Sequence, residues 1–349
     1  MKRFLASGAL FVVSLLAAAA LGEVVVRAVF KERTVLFPRY HTEYRYGDYT
    51  LRGIQPKSEF WHTSADGSWK FVTNSKGLRD ARDFPYAKPA GTLRVLALGD
   101  SHTQGYEVRQ DATYAAVLER YLNAKGKKTE VLNAGVSGFS TAEAAAYLEN
   151  EGHRYQPDVV VLGFYANDFE DNLKAGLFGL EGGKLVERKR SHIPGVRLQD
   201  LIYSVPGVKW LGENSYFYSV AFNTVWTHFK AMSLAHAREE AFDFAVPQKG
   251  AHSDYEVELA AALIERMRGF CESRGMRFIV VDIPRRMAPY RAAQSIPAGL
   301  KAETIASSEL LAPFQDAAEM HVAHGHNHIS EFTHALIGVA LGKRILESQ

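Results

Sequence analysis

A single cysteine, Cys271, stands among 349 residues. An internal disulfide is therefore excluded, and so is every multi-cysteine zinc module. An excess of charge of one sign is also missing. Lys plus Arg number 41 against 39 Asp plus Glu, a net charge of +2. Nothing here demands a polyanionic partner, and nucleic-acid binding is not expected. The 28 glycines lack a period, which excludes a collagen-like chain. Internal repeats and low-complexity tracts are absent too. What is present is apolar material, 47% of the residues against 23% charged, enough to bury a core and to exclude intrinsic disorder. At about 150 residues per domain, the length suits two domains or one large one.

Lys2 and Arg3 precede an apolar run from Phe4 to Gly22, and the next charge is Glu23. At about 1.5 Å rise per residue, such a run reaches roughly 28 Å, close to the thickness of a bilayer core. A cleaved signal peptide would use the small residues Ala18 to Ala20. An uncleaved signal anchor would keep Lys2 and Arg3 on the cytoplasmic side. Apolar character resumes at Val24 to Val26 and Val29 to Phe30, which blurs any cleavage boundary and favours the anchor over residues 1–30. On either reading the rest of the chain lies outside the cytoplasm, periplasmic or at the cell surface. A buried core helix fits less well, since such helices rarely open a chain behind a basic pair.

Residues 31–91 read as an irregular β-rich segment, with short strands expected at Glu43–Tyr46, Ser68–Thr73 and Gly77–Arg79. Lys88 to Gly91 form a turn or linker. From residue 92 to 349 strands alternate with helices. Arg94–Leu98, Glu130–Leu132, Val159–Phe164 and Met276–Ile283 are expected strands. Ala112–Ala124, a segment starting at Thr141 and Thr333–Leu346 are expected helices. Ser253 and Glu256 have capping-box spacing ahead of a stripe through Val257, Ala260, Ile264, Met267 and Cys271, which makes the cysteine a core residue. This order predicts an α/β fold with a parallel sheet between two helical layers. An insertion at about 173–250 breaks the alternation, either as edge packing or as a lid over a substrate.

Three strand ends carry unusual polar residues, at the edge where open α/β sheets bind ligands. The first is Gly99-Asp100-Ser101-His102-Thr103-Gln104-Gly105, which exposes Ser101 on a sharp turn. The second, Asn133-Ala134-Gly135-Val136-Ser137-Gly138, can offer a glycine N–H to a reacting oxygen. The third is Ala166-Asn167-Asp168, whose carboxamide can donate a hydrogen bond. Taken singly, these are a helix cap, a turn and an Asx turn.

In order and spacing the three segments resemble the SGNH (GDSL) hydrolase superfamily, over roughly residues 92–172 and 253–346. The Asn74 to Arg79 stretch is similar to that of bacterial members with an N-terminal membrane segment. The resemblance implies a three-layer α/β/α sandwich on a flavodoxin-like parallel sheet. It implies that Ser101 is the nucleophile and that Ser101, Gly138 and Asn167 form the oxyanion hole, although Tyr165-Ala166 replaces the glycine of the third block. The catalytic histidine implied just before the last helix is His328, with His326 as runner-up and His334 as a helix residue.

One departure stands out. The family's acid sits two or three residues before the histidine, and those positions here are His326 and Gly325. Asp282 is a conceivable substitute. A backbone carbonyl or a neutral side chain is the expected partner of the ring, with slow turnover as the consequence. His324, His326 and His328 alternate and would share one face of a strand, a weaker metal-binding reading that lacks a Cys, Asp or Glu nearby. Arg285 and Arg286 are expected on the surface, with contact to an anionic substrate as the alternative.

The resemblance implies ester hydrolysis through an acyl-serine intermediate, by an esterase or lipase-like enzyme or a carbohydrate O-deacetylase. The expected substrate is a small ester or an acylated glycan. Neither cofactor nor metal is implied, and protein partners stay open. Two other readings remain: a cell-envelope O-acyltransferase, and an impaired binding protein that keeps the fold.

Overall fold

The computed structural model describes residues 2–38, 40–241, 252–287, 291–293, 296–315, 317–325 and 327–347. Helix α1 (Lys2–Phe30) opens the chain and leaves most of its apolar side chains exposed. It is long and apolar enough to cross a membrane, with a mean hydropathy of 2.4 in its most apolar window. The central sheet has five parallel strands: β1 (Leu93–Gly99), β2 (Thr129–Asn133), β3 (Val159–Phe164), β4 (Arg277–Asp282) and β5 (Glu303–Ala306). Their spatial order is β2-β1-β3-β4-β5. This is the expected flavodoxin-like sheet.

Strand alternation builds a core on each face. Leu96, Leu98, Leu132, Val160, Leu162 and Val280 point one way. They meet α3 (Thr141–Asn150) and α5 (Asp254–Glu272), which include Leu148, Leu263, Met267 and the buried Cys271. Val95, Ala97, Val131, Val161, Ile279 and Val281 point the other way. They meet α2 (Tyr114–Ala124) and the last helix, α6 (Glu331–Leu346). Burying each large aliphatic chain contributes about 1.5–3 kcal/mol, so both helical layers are held chiefly by this alternation. Ser140–Glu143 and Ser253–Glu256 form full capping boxes, and Thr113 and Ser330 cap α2 and α6.

Before the sheet come two hairpins, His41–Tyr46 with Tyr49–Ile54, and Glu59–Ser64 with Gly67–Val72. The strand expected at Gly77–Arg79 is instead a turn. The Asn74 side chain accepts from the N–H groups of Lys76 (2.9 Å) and Leu78 (3.1 Å), and Gly77 takes a left-handed φ of 76°. Local side-chain bonds of this kind outcompete a ladder. Residues 173–250 carry more structure than their sequence announces. Phe178–Glu181 pairs with Lys184–Glu187, Ser191–His192 joins Tyr49–Ile54 in parallel, and helices Val196–Tyr203, Val208–Asn214 and α4 (Tyr216–Ala241) follow.

His334 sits fully buried in α6, where its Nδ1 accepts from the Tyr114 N–H at 3.0 Å. Burial lowers its pKa to about 3, with Arg79 and His328 adding to the effect. The unfolded imidazole titrates near 6.5, so between those values the native state binds fewer protons. The stability tied to the neutral ring is fully present above pH ~6.5 and drains as pH falls towards ~3. The melting temperature of the wild type should therefore drop more steeply from pH 7.5 to pH 5 than that of His334→Gln. Parallel slopes in thermal melts would reject this assignment.

Candidate active site

The sheet's carboxyl edge gathers the three polar segments. After β1 the chain turns into the short helix Ser101–Gln104, with the Asp100 carboxylate accepting from the His102 N–H at 2.8 Å. The turn packs against glycines, Gly163 within β3 and Gly135 just past the end of β2. A Cβ on Gly135 would lie 2.2 Å from the Gln104 nitrogen. Ser101 lines a cavity of about 340 Å³ with Arg52, Tyr106, Gly138, Asn167, Trp226 and His328 among its walls.

His328 lies in the loop before α6. The bridge His321↔Ile329 and a 2.9 Å bond from the Val322 N–H to the His328 carbonyl hold that loop closed. The His328 Nε2 is 2.8 Å from Ser101 Oγ, and its Nδ1 is 2.7 Å from the Glu107 Oε2. An ionised carboxylate only accepts, so Nδ1 carries the proton and Nε2 accepts from the serine hydroxyl. The expectation that a carbonyl or neutral side chain would orient the ring is thus corrected. A carboxylate does so, and it comes from the loop that follows Ser101 rather than from the histidine loop.

Local backbone explains how Glu107 gets there. Gly105 (φ 80°) ends the short helix in the left-handed region, and Glu107 itself follows at φ 66°. Two such residues within three reverse the chain beneath the ring, at a local cost of about 1–3 kcal/mol for the non-glycine. Arg79 keeps the loop in place by donating to the carbonyls of Gln104 (2.6 Å), Gly105 and Val108 (2.8 Å). The Asn74 to Arg79 turn therefore clamps the loop that carries Ser101 and Glu107. The sequence signal for Glu107 was its position six residues after Ser101. No local pattern marks it, and it lies neither beside the histidine nor at the end of β4 where Asp282 stands.

Gly325, one of the two positions where the resemblance puts the acid, is filled from the other side. A Cβ there would lie 2.4 Å from Glu107 Oε2. His326, the other such position and the runner-up base, lies outside the described residues. Asp282 is fully buried at the end of β4, where it accepts from the Ile296 N–H at 3.0 Å. The histidines of the metal reading diverge. His324 Nδ1 faces Asp66 Oδ1 at 3.0 Å, whereas His328 faces Glu107 and Ser101. Arg285 and Arg286 fall on a short strand, Arg285–Met287, beyond β4.

Of the expected oxyanion donors, the N–H groups of Ser101 and Gly138 have no hydrogen-bond partner among the described residues. Asn167 is different. Its Nδ2 donates to Asp100 Oδ2 (3.1 Å) and Asp171 Oδ2 (2.9 Å), so donation to a substrate oxygen requires one carboxylate to give way. Burial raises the Asp100 pKa to about 6, against the lowering effects of the His102 N–H, His328 and Asn167, while Asp171 raises it further. Burial also holds His102, whose ring lies tilted 4.9 Å from that of His328, well below the usual imidazole range.

Residues 97–300, more than half of the chain, match the GDSL-like Lipase/Acylhydrolase family. An arylesterase of Vibrio mimicus is 31% identical over 75 residues, which is 22% of this chain and 38% of that relative's length. Among solved structures, the lipase/acylhydrolase from Enterococcus faecalis is 17% identical with a TM-score of 0.41, covering 73% of this chain and 96% of its own. The psychrotrophic esterase EstA from Pseudoalteromonas is 13% identical with a TM-score of 0.39, covering 73% and 99%.

The shared space between residues 107 and 325 makes a prediction about stability alone. Gly325→Asp should destabilise the protein by about 2–4 kcal/mol, because it overpacks the site and sets a second carboxylate against Glu107. Glu107→Ala in the same chain should recover most of that loss. Additive losses in a denaturation cycle would show that the two positions do not compete.

Proposed function

The chain belongs to the GDSL-like lipase/acylhydrolase family, and we propose that it is a serine ester hydrolase acting through an acyl-serine intermediate. The observation that carries this reading is the unbroken line from Glu107 Oε2 through the His328 ring to Ser101 Oγ, with hydrogen bonds of 2.7 and 2.8 Å. Ser101 Oγ attacks the ester carbonyl carbon as its proton passes to His328 Nε2. Glu107 positions the ring and stabilises the imidazolium that forms. The unpartnered N–H groups of Ser101 and Gly138 receive the oxyanion, with Asn167 available once an aspartate releases it. Collapse of the tetrahedral intermediate breaks the C–O bond, and His328 returns the proton to the leaving alcohol. Water then repeats the sequence and frees Ser101.

The reading as an impaired binding protein rested on a missing acid. A carboxylate on the ring removes that reason. Hydrolysis and transfer to a sugar hydroxyl share these steps, and nothing in the site favours a glycan acceptor.

We place the catalytic domain outside the cytoplasm on an uncleaved anchor. Supporting this, α1 is built into the rest of the molecule. The Glu23 carboxylate accepts from Ser215 Oγ (2.8 Å) and from the N–H groups of Tyr216 (3.1 Å) and Phe217 (2.9 Å), and Arg27 donates to the Asn214 carbonyl at 2.9 Å. Beside it the insertion exposes Leu198, Leu201, Trp210, Phe217, Val225 and Met232, an apolar surface suited to a bilayer interface.

Two experiments test these assignments. Ser101→Ala should abolish hydrolysis of a short-chain aryl ester with little change in stability. Glu107→Gln should lower kcat by about 10²–10⁴-fold, as loss of a triad acid does. Full activity in either variant sinks the assignment. Full-length protein should stay with membranes through a high-salt wash, since apolar insertion is not screened by ions. Recovery of a soluble mature form beginning near Glu23 would replace the anchor with a cleaved signal.

A further inference from the structure

The cavity over Ser101 holds a cation that the reaction above does not use. Arg52 belongs to the hairpin strand Tyr49–Ile54 and is 5% exposed. It lines the 340 Å³ cavity and also an adjoining one of about 120 Å³ formed with Gly138, Lys174, His192, Trp226 and Phe229. Its guanidinium lies against Gly138. A Cβ on that glycine would stand 2.7 Å from Nη2 and 3.1 Å from Nη1. The cation is thus next to the glycine whose N–H the proposed mechanism gives to the oxyanion.

Its hydrogen-bonding capacity is unspent. Nε is buried without a partner, 3.8 Å from Glu143 Oε1 and so beyond hydrogen-bond reach. Among the described residues no hydrogen bond engages any nitrogen of this guanidinium. Other buried arginines of the chain differ. Arg79 reaches three carbonyls, and Arg94 reaches the Glu130 carboxylate and the carbonyls of Pro85, Tyr86 and Tyr155. Leaving a buried guanidinium without acceptors is costly, and its planar fork is shaped for an anion with two oxygens.

Glu143 balances the charge of Arg52 as an ion pair at 3.8 Å but takes no hydrogen bond from it. Glu143 gives Oε2 to the Ser140 N–H (2.9 Å) and Oε1 to His192 Nδ1 (3.0 Å). Asp171 is taken by Lys174 Nζ (2.7 Å) and by Asn167. Among the described residues neither carboxylate takes a hydrogen bond from Arg52, and the face of Arg52 towards the cavity is left for something that enters it.

We propose that Arg52 selects the substrate, receiving a carboxylate or phosphoryl group carried by the ester that Ser101 attacks. This rests on the esterase reading. It narrows the substrate from esters in general to anionic ones, with the charge a short span from the scissile carbonyl.

Full-length protein and its Arg52→Gln and Arg52→Lys variants can be compared on matched esters. On the alcohol side these are 4-acetoxybenzoate, 4-acetoxyphenyl phosphate and the neutral methyl 4-acetoxybenzoate. On the acyl side they are mono-4-nitrophenyl adipate and its neutral methyl ester. Each anionic-to-neutral ratio of kcat/KM is divided by the wild-type ratio, which cancels intrinsic reactivity. For at least one pair Arg52→Gln should lower the ratio tenfold or more, mainly through KM, with Arg52→Lys in between. The carboxylate and phosphate arms tell which anion is meant. Ratios within twofold of wild type in every pair overturn the proposal, as does an equal loss on neutral and anionic esters, which would make Arg52 an oxyanion stabiliser. Circular dichroism and thermal melts verify that the variants fold. Hydrolysis of the neutral esters, abolished by Ser101→Ala, tests the esterase reading separately. If turnover is absent, calorimetric binding of 4-hydroxybenzoate, 4-hydroxyphenyl phosphate and adipate decides. Binding of one of them by wild type and its loss in Arg52→Gln support the site, and binding of none, or equal binding by both proteins, overturns it.

Discussion

The hydrogen bond between Glu107 and His328 is the constraint around which the site is arranged. For the imidazole to accept from Ser101, its other nitrogen must give a proton to an acceptor, and the acceptor must be fixed. Fixing Glu107 requires the chain to leave the short helix at Ser101–Gln104 through two left-handed residues, Gly105 and Glu107. That reversal has no ladder to hold it. Arg79 supplies the missing anchorage by binding three carbonyls of the loop, and the Asn74 turn places Arg79. The Asn74 to Arg79 turn, ahead of the sheet, is therefore what keeps the carboxylate under the ring.

Much of this was legible in the sequence, and the illegible part has a physical reason. Sheet strands and their helices follow from apolar periodicity, because a strand buried on both faces or a helix with a capping box leaves a local signature. Val159–Phe164 and Ser253 to Cys271 show it plainly. Ser101, Gly138 and His328 were legible through the family resemblance that the ordered segments carry. Glu107 was not, since a lone glutamate in a loop has no periodicity, and its role depends on a histidine 221 residues away. The helices after Gly195 escaped for a different reason. Val196–Tyr203 and α4 expose large apolar chains such as Leu201 and Val225, so the polar outer face that usually marks a surface helix is absent.

The insertion is also where the two ends of the molecule's function meet. Trp226, in α4, lines the cavity over Ser101, and the first turn of the same helix is capped by Glu23 of α1. A single helix of 26 residues thus runs from the apolar N-terminal helix to the wall of the reaction chamber. Any tilt of α1 relative to the sheet must move that wall or break the Glu23 cap. The position of α1 and the shape of the cavity are coupled through the Glu23 hydrogen bonds and the length of α4.

Carrying the acid on the nucleophile loop changes what the histidine loop has to do. When acid and base share a loop, that loop must fix two side chains against each other and against the serine. Here Ser101 and Glu107 are six residues apart on a segment tied down by Arg79, so their separation is set locally. The loop before α6 then has to deliver only one ring, and it is closed by the His321↔Ile329 bridge, the Val322–His328 bond and the bonds that Ser330 and Thr333 make to the carbonyls of Glu319 and Met320. The space that an acid at 325 would occupy is already taken by Glu107 Oε2. A side chain at 325 and Glu107 in its present place therefore compete for the same space.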